Sequence, residues 1–397
     1  MLRNTHTECD AKHCYGKMRG SSNERAPEFD SPIEAPEMRP TVKYAFFQYD
    51  FGIGGIQRAL INLLGSGIFA KDQVDVFYCE KGELFSEIQK IKGIHLRQIE
   101  PFSRLARFVP FNILYHTKKA VSGQDELYDA AIDFNSYQPE CAVGVLNCLA
   151  RQHIIWIHND VEKVYENEPK FRVLWNFGKG KYKYFDRFVG VSDGVIKPFC
   201  RMSGCDEADC TVIPNWLDAF AIQEKADEKI QWDAPADKVN LVMVGRLCKQ
   251  KGIELLLMDL AGAVLKASYL HLWIIGDGPL RGKLEKKTEQ LGLKKHVTFL
   301  GNITNPYPYI KRMDAMVLES LYEGQGIVLW EAKALGVPTI FPKRLEAYNR
   351  GLTGTDNMVE AMRQVAKNTP APDNLEGYCG EIRKGLKKLF AKSGNTA

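Results

Sequence analysis

Two stretches of the sequence share one plan and decide the fold. Residues 43–64 read KYAFFQYDFGIGGIQRALINLL, and residues 239–260 read VNLVMVGRLCKQKGIELLLMDL. Each begins with an apolar run, continues through a loop that contains glycine, and ends in a segment with helical period. Strand, glycine-bearing turn and helix in that order are typical of the unit that opens a doubly wound α/β domain. We therefore predict two such domains, each with a parallel sheet that helices cover on both faces.

Short apolar runs extend both series. We predict strands at 44–48, 74–78, 130–134, 141–145, 154–158, 188–191 and 211–214, and then at 239–244, 271–275, 297–300, 315–318 and 339–341. The first domain is expected over residues 38–217 and the second over 239–370, with a charged linker or surface excursion at 218–238. Ligands of such sheets bind beyond the carboxyl ends of the strands, so two facing domains would share a cleft.

The two ends of the chain differ from the domains. Residues 1–37 are polar and show neither helical nor strand periodicity, so we predict a disordered leader to which we assign no chemistry. Residues 371–397 contain a cationic segment with helical character at 375–392. This helix is a candidate to cross back and brace the first domain.

Composition excludes several classes of protein. A chain of 397 residues is longer than a typical domain with a single hydrophobic core. Its content of 45% apolar and 26% charged residues is ordinary for a soluble globular chain. A net charge of +4 does not indicate a nucleic-acid partner. No apolar run approaches the roughly 20 residues of a membrane-spanning helix, and no secretory signal opens the chain. The ten cysteines form no CxxC pair, so we predict thiols in a reducing cytosol.

Two glycine-bearing loops in the second domain are candidate anion sites. Arg246 and Lys251 lie in GRLCKQKG, residues 245–252, at a predicted strand end and just before a helix. Two cations, backbone donors and the helix dipole suit a diphosphate, although a solvated basic loop is the alternative. EGQGIVLWEAKALG, residues 323–336, provides a second helix start. Within that otherwise apolar helix, Glu331 needs a hydrogen-bonding partner because a buried carboxylate without one is costly.

Several stretches in this order resemble retaining glycosyltransferases of the GT-B fold, in glycosyltransferase family 4. They are GIGG at 52–55, WIHND at 156–160, VGVSDGV at 189–195, VIPNWLD at 212–218, VGRLCKQKG at 244–252, IIGDGPLRGKLE at 274–285 and EGQGIVLWE at 323–331. The last has the family's pattern of a glutamate, seven residues and a second glutamate. The resemblance covers nearly everything from Met38 to about Ala366. It implies an α/β GT-B architecture of two Rossmann-like domains: an N-terminal acceptor domain and a C-terminal nucleotide-sugar domain.

The resemblance also implies roles for the charged residues of the second domain. Glu331 would bind the ribose hydroxyls of the nucleotide, and Glu323 would reach hydroxyls of the donor sugar. Arg246 and Lys251 would neutralise the diphosphate as the glycosidic bond breaks. Because the sequence contains no Asp-x-Asp triplet, we expect no metal and no cofactor. The donor substrate is expected to be a nucleotide diphosphate sugar, with a UDP-sugar favoured over a GDP-sugar.

Backbone and first-domain groups complete the expected site. The resemblance implies that the backbone N–H groups of Gln325, Gly326 and Ile327 face sugar and phosphate.

In the first domain, Gly54 and Gly55 would allow close backbone approach to the donor. His158 would contact the donor sugar near the reacting carbon, although a lone histidine at a strand end is more often structural.

Two positions depart from the family pattern. Gln325 stands where relatives commonly have an aromatic residue, and we expect it to alter the sugar pocket. Glu319 stands where a proline is frequent, which we interpret as a loop change. The identity of the donor sugar stays open for this reason.

The expected function is that of a cytosolic, metal-independent retaining hexosyltransferase. It would move a sugar from its nucleotide to a glycan or lipid-linked acceptor in bacterial surface polysaccharide biosynthesis. The alternative is a non-catalytic GT-B subunit that binds a glycan or a partner transferase. Substitution of the charged residues of the motifs would favour that alternative. All of them are present: Arg246, Lys251, Glu323 and Glu331.

Two basic-aromatic runs raise the question of membrane contact. They are PFSRLARFVPFNILYHTKK at 101–119 and KGKYKY at 179–184. Such surfaces can lie on anionic lipid, which predicts peripheral attachment to the inner face of the cytoplasmic membrane. An equally good interpretation is a solvated helix face that packs its aromatic side chains inward.

Overall fold

Two parallel sheets confirm the predicted pair of doubly wound units. A computed structural model describes residues 41–119, 126–368 and 371–391, and the predicted leader lies outside these residues. The seven-stranded sheet has the order β3-β2-β1-β4-β5-β6-β7, and the five-stranded sheet has the order β10-β9-β8-β11-β12. We call the part built on the first sheet the first lobe and the part built on the second sheet the second lobe.

The first lobe alternates strands and helices. Its strands are β1 Lys43–Asp50, β2 Gln73–Glu80, β3 Ile94–Gln98, β4 Ala130–Asp133, β5 His153–Ile157, β6 Arg187–Gly190 and β7 Cys210–Val212. Its helices are α1 Gly55–Gly65, α2 Phe85–Ile88, α3 Phe111–Thr117, α4 Pro139–Asn147, α5 Val161–Asn167, α6 Pro169–Gly178, α7 Asp193–Ser203 and α8 Ala219–Ala226. Short 3-10 turns span Ala106–Phe108, Lys179–Tyr184 and Glu207–Asp209.

The second lobe follows the same plan. Its strands are β8 Val239–Val244, β9 Leu270–Ile275, β10 Val297–Gly301, β11 Ala315–Val317 and β12 Thr339–Ile340. Its helices are α9 Ile253–Val264, α10 Arg281–Gln290, α11 Tyr307–Ile310, α12 Ile327–Ala334 and α13 Met358–Arg363, and 3-10 turns span Lys249–Lys251 and Lys343–Tyr348. Five of the six residues of β8 are buried, as expected for a central parallel strand whose two faces are both covered.

A glycine fixes the turn between β8 and α9. Gly252 has φ +58°, and a Cβ at this position would lie 2.1 Å from the carbonyl oxygen of Glu319. A side chain is therefore excluded both by the left-handed backbone and by contact with the neighbouring loop. This close approach brings the loop after β8 against the loop after β11, and both loops carry candidate site residues.

Two details of the strand prediction were wrong. Residues 141–145 belong to helix α4, and Cys141, Val143 and Val145 are all buried. A short helix buried on most sides carries a continuous apolar run, and periodicity cannot distinguish such a run from a buried strand. The prediction also missed edge strand β3, which is short and only partly buried.

The segment interpreted as a linker, residues 218–238, contains helix α8. The carboxylate of Asp218 accepts a hydrogen bond from the backbone N–H of Ala221 at 3.0 Å, which is a helix N-cap. The amide of Gln223 on this helix donates to the carbonyl of Ala334 in the second lobe at 2.9 Å. This segment therefore packs against the second lobe through a helix of its own.

The C-terminal helix, α14 Glu376–Leu389, lies against the first lobe. The ring of Phe390 packs on that of Tyr44 in β1, with 4.7 Å between ring centroids. Arg383 stacks over the ring of Trp216, and the thiol of Cys379 donates to the carbonyl of Leu217. Among the described residues, no helix combines the length and the apolar character needed to cross a membrane.

Candidate functional site

The cleft between the lobes closes at one backbone contact. Gly324 follows β11, and a Cβ at this position would lie 1.8 Å from the carbonyl oxygen of His158, which follows β5. Only a glycine permits this approach. The buried hydroxyl of Ser192 donates to the carbonyl of Gly324 at 2.6 Å. The loop of residues 323–326 is therefore held against the carboxyl edge of the first sheet.

A buried ion pair lies beside this contact. Lys251 Nζ is 2.6 Å from Oε1 of Glu323, and the hydroxyl of Ser320 donates to the same oxygen at 2.6 Å. Glu323 is 4% exposed. Because a buried carboxylate without partners is strongly unfavourable, these two donors offset the cost of burying Glu323. The structure thus brings together two of the residues predicted to contact the donor.

Arg246 is the exposed member of the predicted set. It follows β8, as Lys251 does, and its guanidinium has no side-chain partner among the described residues. An unpaired guanidinium at the carboxyl end of a strand can bind an anion without breaking an existing contact.

Glu331 lies on α12 with one oxygen occupied. The hydroxyl of Tyr307 donates to its Oε1 at 3.0 Å, whereas Oε2 has no partner in the described part of the chain. Burial raises the pKa of Glu331, and the hydrogen bond from Tyr307 and the charge of Arg58 oppose this rise. Arg58 lies on α1 and is itself bonded to Glu87 at 2.5 and 2.9 Å. Sequence reasoning missed Tyr307 and Arg58, because their proximity to Glu331 depends on contacts between residues far apart in the chain.

His158 is held as a neutral imidazole. Its Nε2 is buried without a hydrogen-bonding partner among the described residues. Burial lowers the pKa of His158 to about 3, and a backbone hydrogen bond with Phe134 opposes this shift only in part. At physiological pH the side chain can therefore exchange a hydrogen bond with a ligand but carries no charge.

The predicted backbone donors of the glycine loop are partly engaged. The N–H of Gly326 donates to Oδ1 of Asn349 at 3.1 Å, and the N–H of Ile327 donates to the carbonyl of Gln325 at 2.9 Å. Their contact with sugar or phosphate stays a prediction. In the first lobe, Gly54 and Gly55 lie at the start of α1, and a Cβ at Gly55 would meet nothing within 4 Å.

The side chain of Gln325 makes three hydrogen bonds within the protein, and its expected effect on the sugar pocket stays a prediction. Its Oε1 accepts from the backbone N–H of Asn215 at 2.8 Å and from the Asn215 amide at 2.9 Å. Its Nε2 donates to the hydroxyl of Tyr378 at 2.8 Å. We call these three residues the Gln325 clamp. The clamp ties the loop before α12 to the crossover after β7 and to α14.

The second departure, Glu319, is buried and paired. The guanidinium of Arg344 donates to its carboxylate at 2.8 Å and to its carbonyl at 3.1 Å. Burial raises the pKa of Glu319, and the pairing with Arg344 opposes this rise. In the described residues, no three His, Cys, Asp or Glu side chains are grouped as metal ligands would be.

Comparison with known proteins finds a family match for part of this chain. Residues 224–345 match the family model for glycosyl transferases group 1. The group 1 match includes Arg246, Lys251, Glu323 and Glu331, the charged residues predicted to contact the donor. It ends before α14, the helix that joins the second lobe to the first.

Two curated relatives are similar to parts of this chain. The lipopolysaccharide core biosynthesis glycosyltransferase LpsD of Rhizobium meliloti is 38% identical over 132 residues, which are 33% of this chain and only 37% of the relative. The GalNAc-alpha-(1->4)-GalNAc-alpha-(1->3)-diNAcBac-PP-undecaprenol alpha-1,4-N-acetyl-D-galactosaminyltransferase of Campylobacter jejuni is 25% identical over 306 residues, 73% of this chain and 76% of the relative.

A solved structure shows the fold of both lobes. Anabaena HepE, crystallised with UDP and glucose, superposes with a TM-score of 0.59 over 88% of this chain and 94% of its own, at 17% identity. The chain therefore has the GT-B fold.

The Gln325 clamp predicts a loss of stability on truncation. Gln325→Ala removes the acceptor of two Asn215 N–H groups, and leaving buried donors unpaired should lower the free energy of unfolding by about 1–3 kcal/mol. The urea midpoint measures this change. Gln364→Ala is a matched control because Gln364 is exposed and bonds only to Glu360 on its own helix. Equal, small effects of both substitutions would contradict the clamp.

The neutral state of His158 predicts a pH dependence. Its pKa of about 3 in the folded protein lies below the ordinary value of 6.5, so the unfolded chain binds the proton more readily. The stability contributed by neutral His158 is present above pH 6.5 and is lost as the pH falls toward 3. His158→Gln should therefore show a shallower loss of stability over that range. The denaturation midpoint against pH, with the exposed His116→Gln as control, measures the effect; identical slopes for wild type and His158→Gln would contradict it.

Proposed function

We propose that the protein is a retaining glycosyltransferase that moves a hexose-type sugar from a nucleotide diphosphate sugar to a glycan or lipid-linked acceptor. The observation that carries this proposal is the Lys251–Glu323 pair, which lies next to the close approach of Gly324 to the carbonyl of His158. Relatives support it, since LpsD and the Campylobacter enzyme are glycosyltransferases by name. We further propose that the reaction serves the synthesis of a bacterial surface polysaccharide.

The nucleotide would bind at Glu331. Tyr307 holds one carboxylate oxygen, and the other oxygen can accept hydrogen bonds from a ribose diol. A diol in this place would supply the partner that a carboxylate inside an apolar helix needs. We favour UDP over GDP, and HepE was crystallised with UDP.

The diphosphate would lie between Arg246 and Lys251. Charge develops on the leaving phosphate as the glycosidic bond breaks, and fixed cations stabilise that charge most when they need no rearrangement. Glu323 fixes Lys251 through the 2.6 Å pair and could use its second oxygen for hydroxyls of the donor sugar. This arrangement supports transfer without a metal ion.

The placement of the carboxylates does not match that of a glycosidase, and the proposal of retention comes from the family resemblance. A glycosidase holds its two carboxylates on opposite sides of the scissile bond, whereas Glu323 and Glu331 both stand on the second lobe. In the proposed transfer the acceptor attacks from the face that the phosphate leaves, and that phosphate takes the acceptor proton. Neutral His158 would hydrogen-bond the donor sugar near the reacting carbon.

The surface that could contact a membrane is only part of the predicted one. Around the turn Ala106–Phe108 and helix α3, the apolar side chains of Leu105, Phe108 and Ile113 are 74%, 45% and 51% exposed. Phe111, Lys181 and Tyr182 are buried and cannot contact lipid. We propose that the exposed face, with Arg104 and Arg107, lies on anionic lipid and keeps the enzyme at the inner face of the cytoplasmic membrane.

Nucleotide binding is the decisive test of the function. A ligand at 100 times its Kd stabilises the folded state by about 2.7 kcal/mol, so UDP should raise the melting temperature visibly, against GDP, ADP and CMP as comparisons. Glu331→Ala should abolish the shift, whereas Glu289→Ala, at an exposed ion pair with Lys294, should leave it intact. A well-folded protein that no nucleotide stabilises would instead be the non-catalytic GT-B subunit.

Kinetics separate the roles of the charged residues. Arg246→Ala or Lys251→Ala should cost about 2–4 kcal/mol of transition-state stabilisation, since each removes a preorganised charge. Glu323→Ala should lower the rate of sugar transfer more than it weakens the affinity for the nucleotide. Small and equal effects of Glu323→Ala and Glu331→Ala on both quantities would contradict the assignment.

Membrane attachment has its own test. The wild-type protein should sediment with vesicles of anionic phospholipid at low salt, because basic side chains near the surface are attracted to it. The double substitution Arg104→Glu, Arg107→Glu should abolish sedimentation with the vesicles. Substitution of Lys294 and Lys295 on the second lobe by glutamate should leave sedimentation unchanged. Binding that ignores the charge at 104 and 107 would exclude this surface.

A further inference from the structure

Three consecutive residues of the second lobe make contact with both halves of the proposed site. Tyr348 ends the 3-10 turn Lys343–Tyr348, and Asn349 and Arg350 follow it. We call residues 348–350 the strap. The strap lies outside the group 1 match, which ends at residue 345, and it contains none of the residues predicted to contact the donor.

The ring of Tyr348 reaches from the second lobe into the first. Its hydroxyl donates to Oδ2 of Asp160 at 2.6 Å, and both side chains are buried. A Cβ on Gly194, in the first turn of α7, would lie 2.5 Å from the ring, so this glycine leaves room for Tyr348. Burial and the bond to Asp160 raise the pKa of Tyr348, so its hydroxyl keeps its proton and acts as the donor.

Asp160 stands two residues after His158 and is held from both sides. Its Oδ1 accepts a hydrogen bond from the backbone N–H of Lys163 at 3.0 Å, which caps helix α5. Its Oδ2 accepts the bond from Tyr348. A buried carboxylate oxygen that loses its donor is costly, so loss of the Tyr348 hydroxyl would favour movement of Asp160. That movement would displace the short segment between Asp160 and His158.

The next residue of the strap holds the loop of residues 323–326. Asn349 is buried, and its Oδ1 accepts from the backbone N–H of Gly326 at 3.1 Å. Gly326 lies three residues after Glu323, within the same loop. Because Tyr348 and Asn349 are adjacent, one short piece of backbone determines how the segment that carries His158 lies relative to this loop.

The third residue of the strap adds a weaker link between the lobes. The guanidinium of Arg350 donates to the two carboxylate oxygens of Asp193, at the start of α7, at 2.8 and 2.9 Å. The arginine is exposed, and ion pairs at such sites contribute little to stability. The buried bonds of Tyr348 and Asn349 are therefore the part of the strap that fixes the site.

We propose that Tyr348 is a positioning residue for sugar transfer, which sets His158 in place against the loop of residues 323–326. The inference rests on the proposed transferase function, in which His158 belongs to the first lobe and the nucleotide binds to the second. Nucleotide binding does not require the two lobes to be in register. Transfer does, because a misplacement of about 1 Å can lower a rate about 100-fold.

Two tyrosines provide a matched pair of variants. Tyr348→Phe removes the hydroxyl and keeps the ring beside Gly194. Tyr269→Phe makes the same change at an exposed position, where the hydroxyl lies 3.4 Å from the carbonyl of Arg363 within the second lobe.

Hydrogen exchange of backbone amides, followed by mass spectrometry on the protein without ligand, measures both sides of the strap. Tyr348→Phe should raise the exchange rate about tenfold in residues 158–164 and in residues 323–329, since the closed arrangement loses a buried hydrogen bond. Tyr269→Phe should exchange as the wild type does in both segments. Unchanged exchange in either segment of Tyr348→Phe overturns the proposal.

Release of UDP from UDP-glucose, UDP-galactose and UDP-N-acetylglucosamine measures the reaction itself. Water takes the place of the acceptor, and the products are the free sugar and UDP. With the sugar that the wild type releases fastest, Tyr348→Phe should lower kcat about tenfold and raise KM less, with an unchanged affinity for UDP. Asp160→Asn, whose amide can still bond to Tyr348, should keep more of the rate than Asp160→Ala. A lower denaturation midpoint with a wild-type kcat would make Tyr348 purely structural and overturn the proposal.

The nucleotide thermal shift separates the sources of failure. A protein that UDP does not stabilise, but in which Tyr348→Phe speeds exchange in both segments, would reject the transferase function and keep the strap as a link between the lobes. A UDP shift together with wild-type exchange and wild-type kcat in Tyr348→Phe would keep the transferase function and reject the positioning role. If the wild type binds UDP but releases it from none of the three sugars, the exchange rates decide.

Discussion

The contact between Gly324 and the carbonyl of His158 sets the geometry of the whole cleft. At this point the backbone of one lobe touches the backbone of the other with no room for a side chain. Ser192 fixes the contact with a hydrogen bond, and the Gln325 clamp fixes the next residue. Because Glu323 adjoins Gly324 in the chain, its carboxylate takes its position from an interaction between lobes.

Burial of charge is the second constraint on this cleft. Glu323 is held by Lys251 and Ser320, Glu331 by Tyr307, and Glu319 by Arg344. Each carboxylate is desolvated, and each has a named donor that reduces the cost. In all three carboxylates these donors bond to Oε1.

The C-terminal helix explains how the two lobes act as one unit. α14 begins in the second lobe, where Tyr378 packs on Trp330 of α12 with ring centroids 4.4 Å apart. It then follows the first lobe until Phe390 reaches Tyr44 in β1. Any movement that opens the cleft must therefore disturb both this helix and the clamp.

The sequence by itself determined the two doubly wound sheets and the charged residues of the second lobe, because strand and helix periods and glycine-bearing turns are local properties of the chain. Prediction from the sequence failed at residues 141–145, because a helix that is buried on most sides has no periodic pattern of apolar and polar residues. Only the tertiary structure decided the partners of Glu331, the engagement of Gln325 and the neutral state of His158. Those depend on residues far apart in sequence, such as Tyr307, Asn215 and Phe134, whose contact arises from packing between elements and leaves no local pattern.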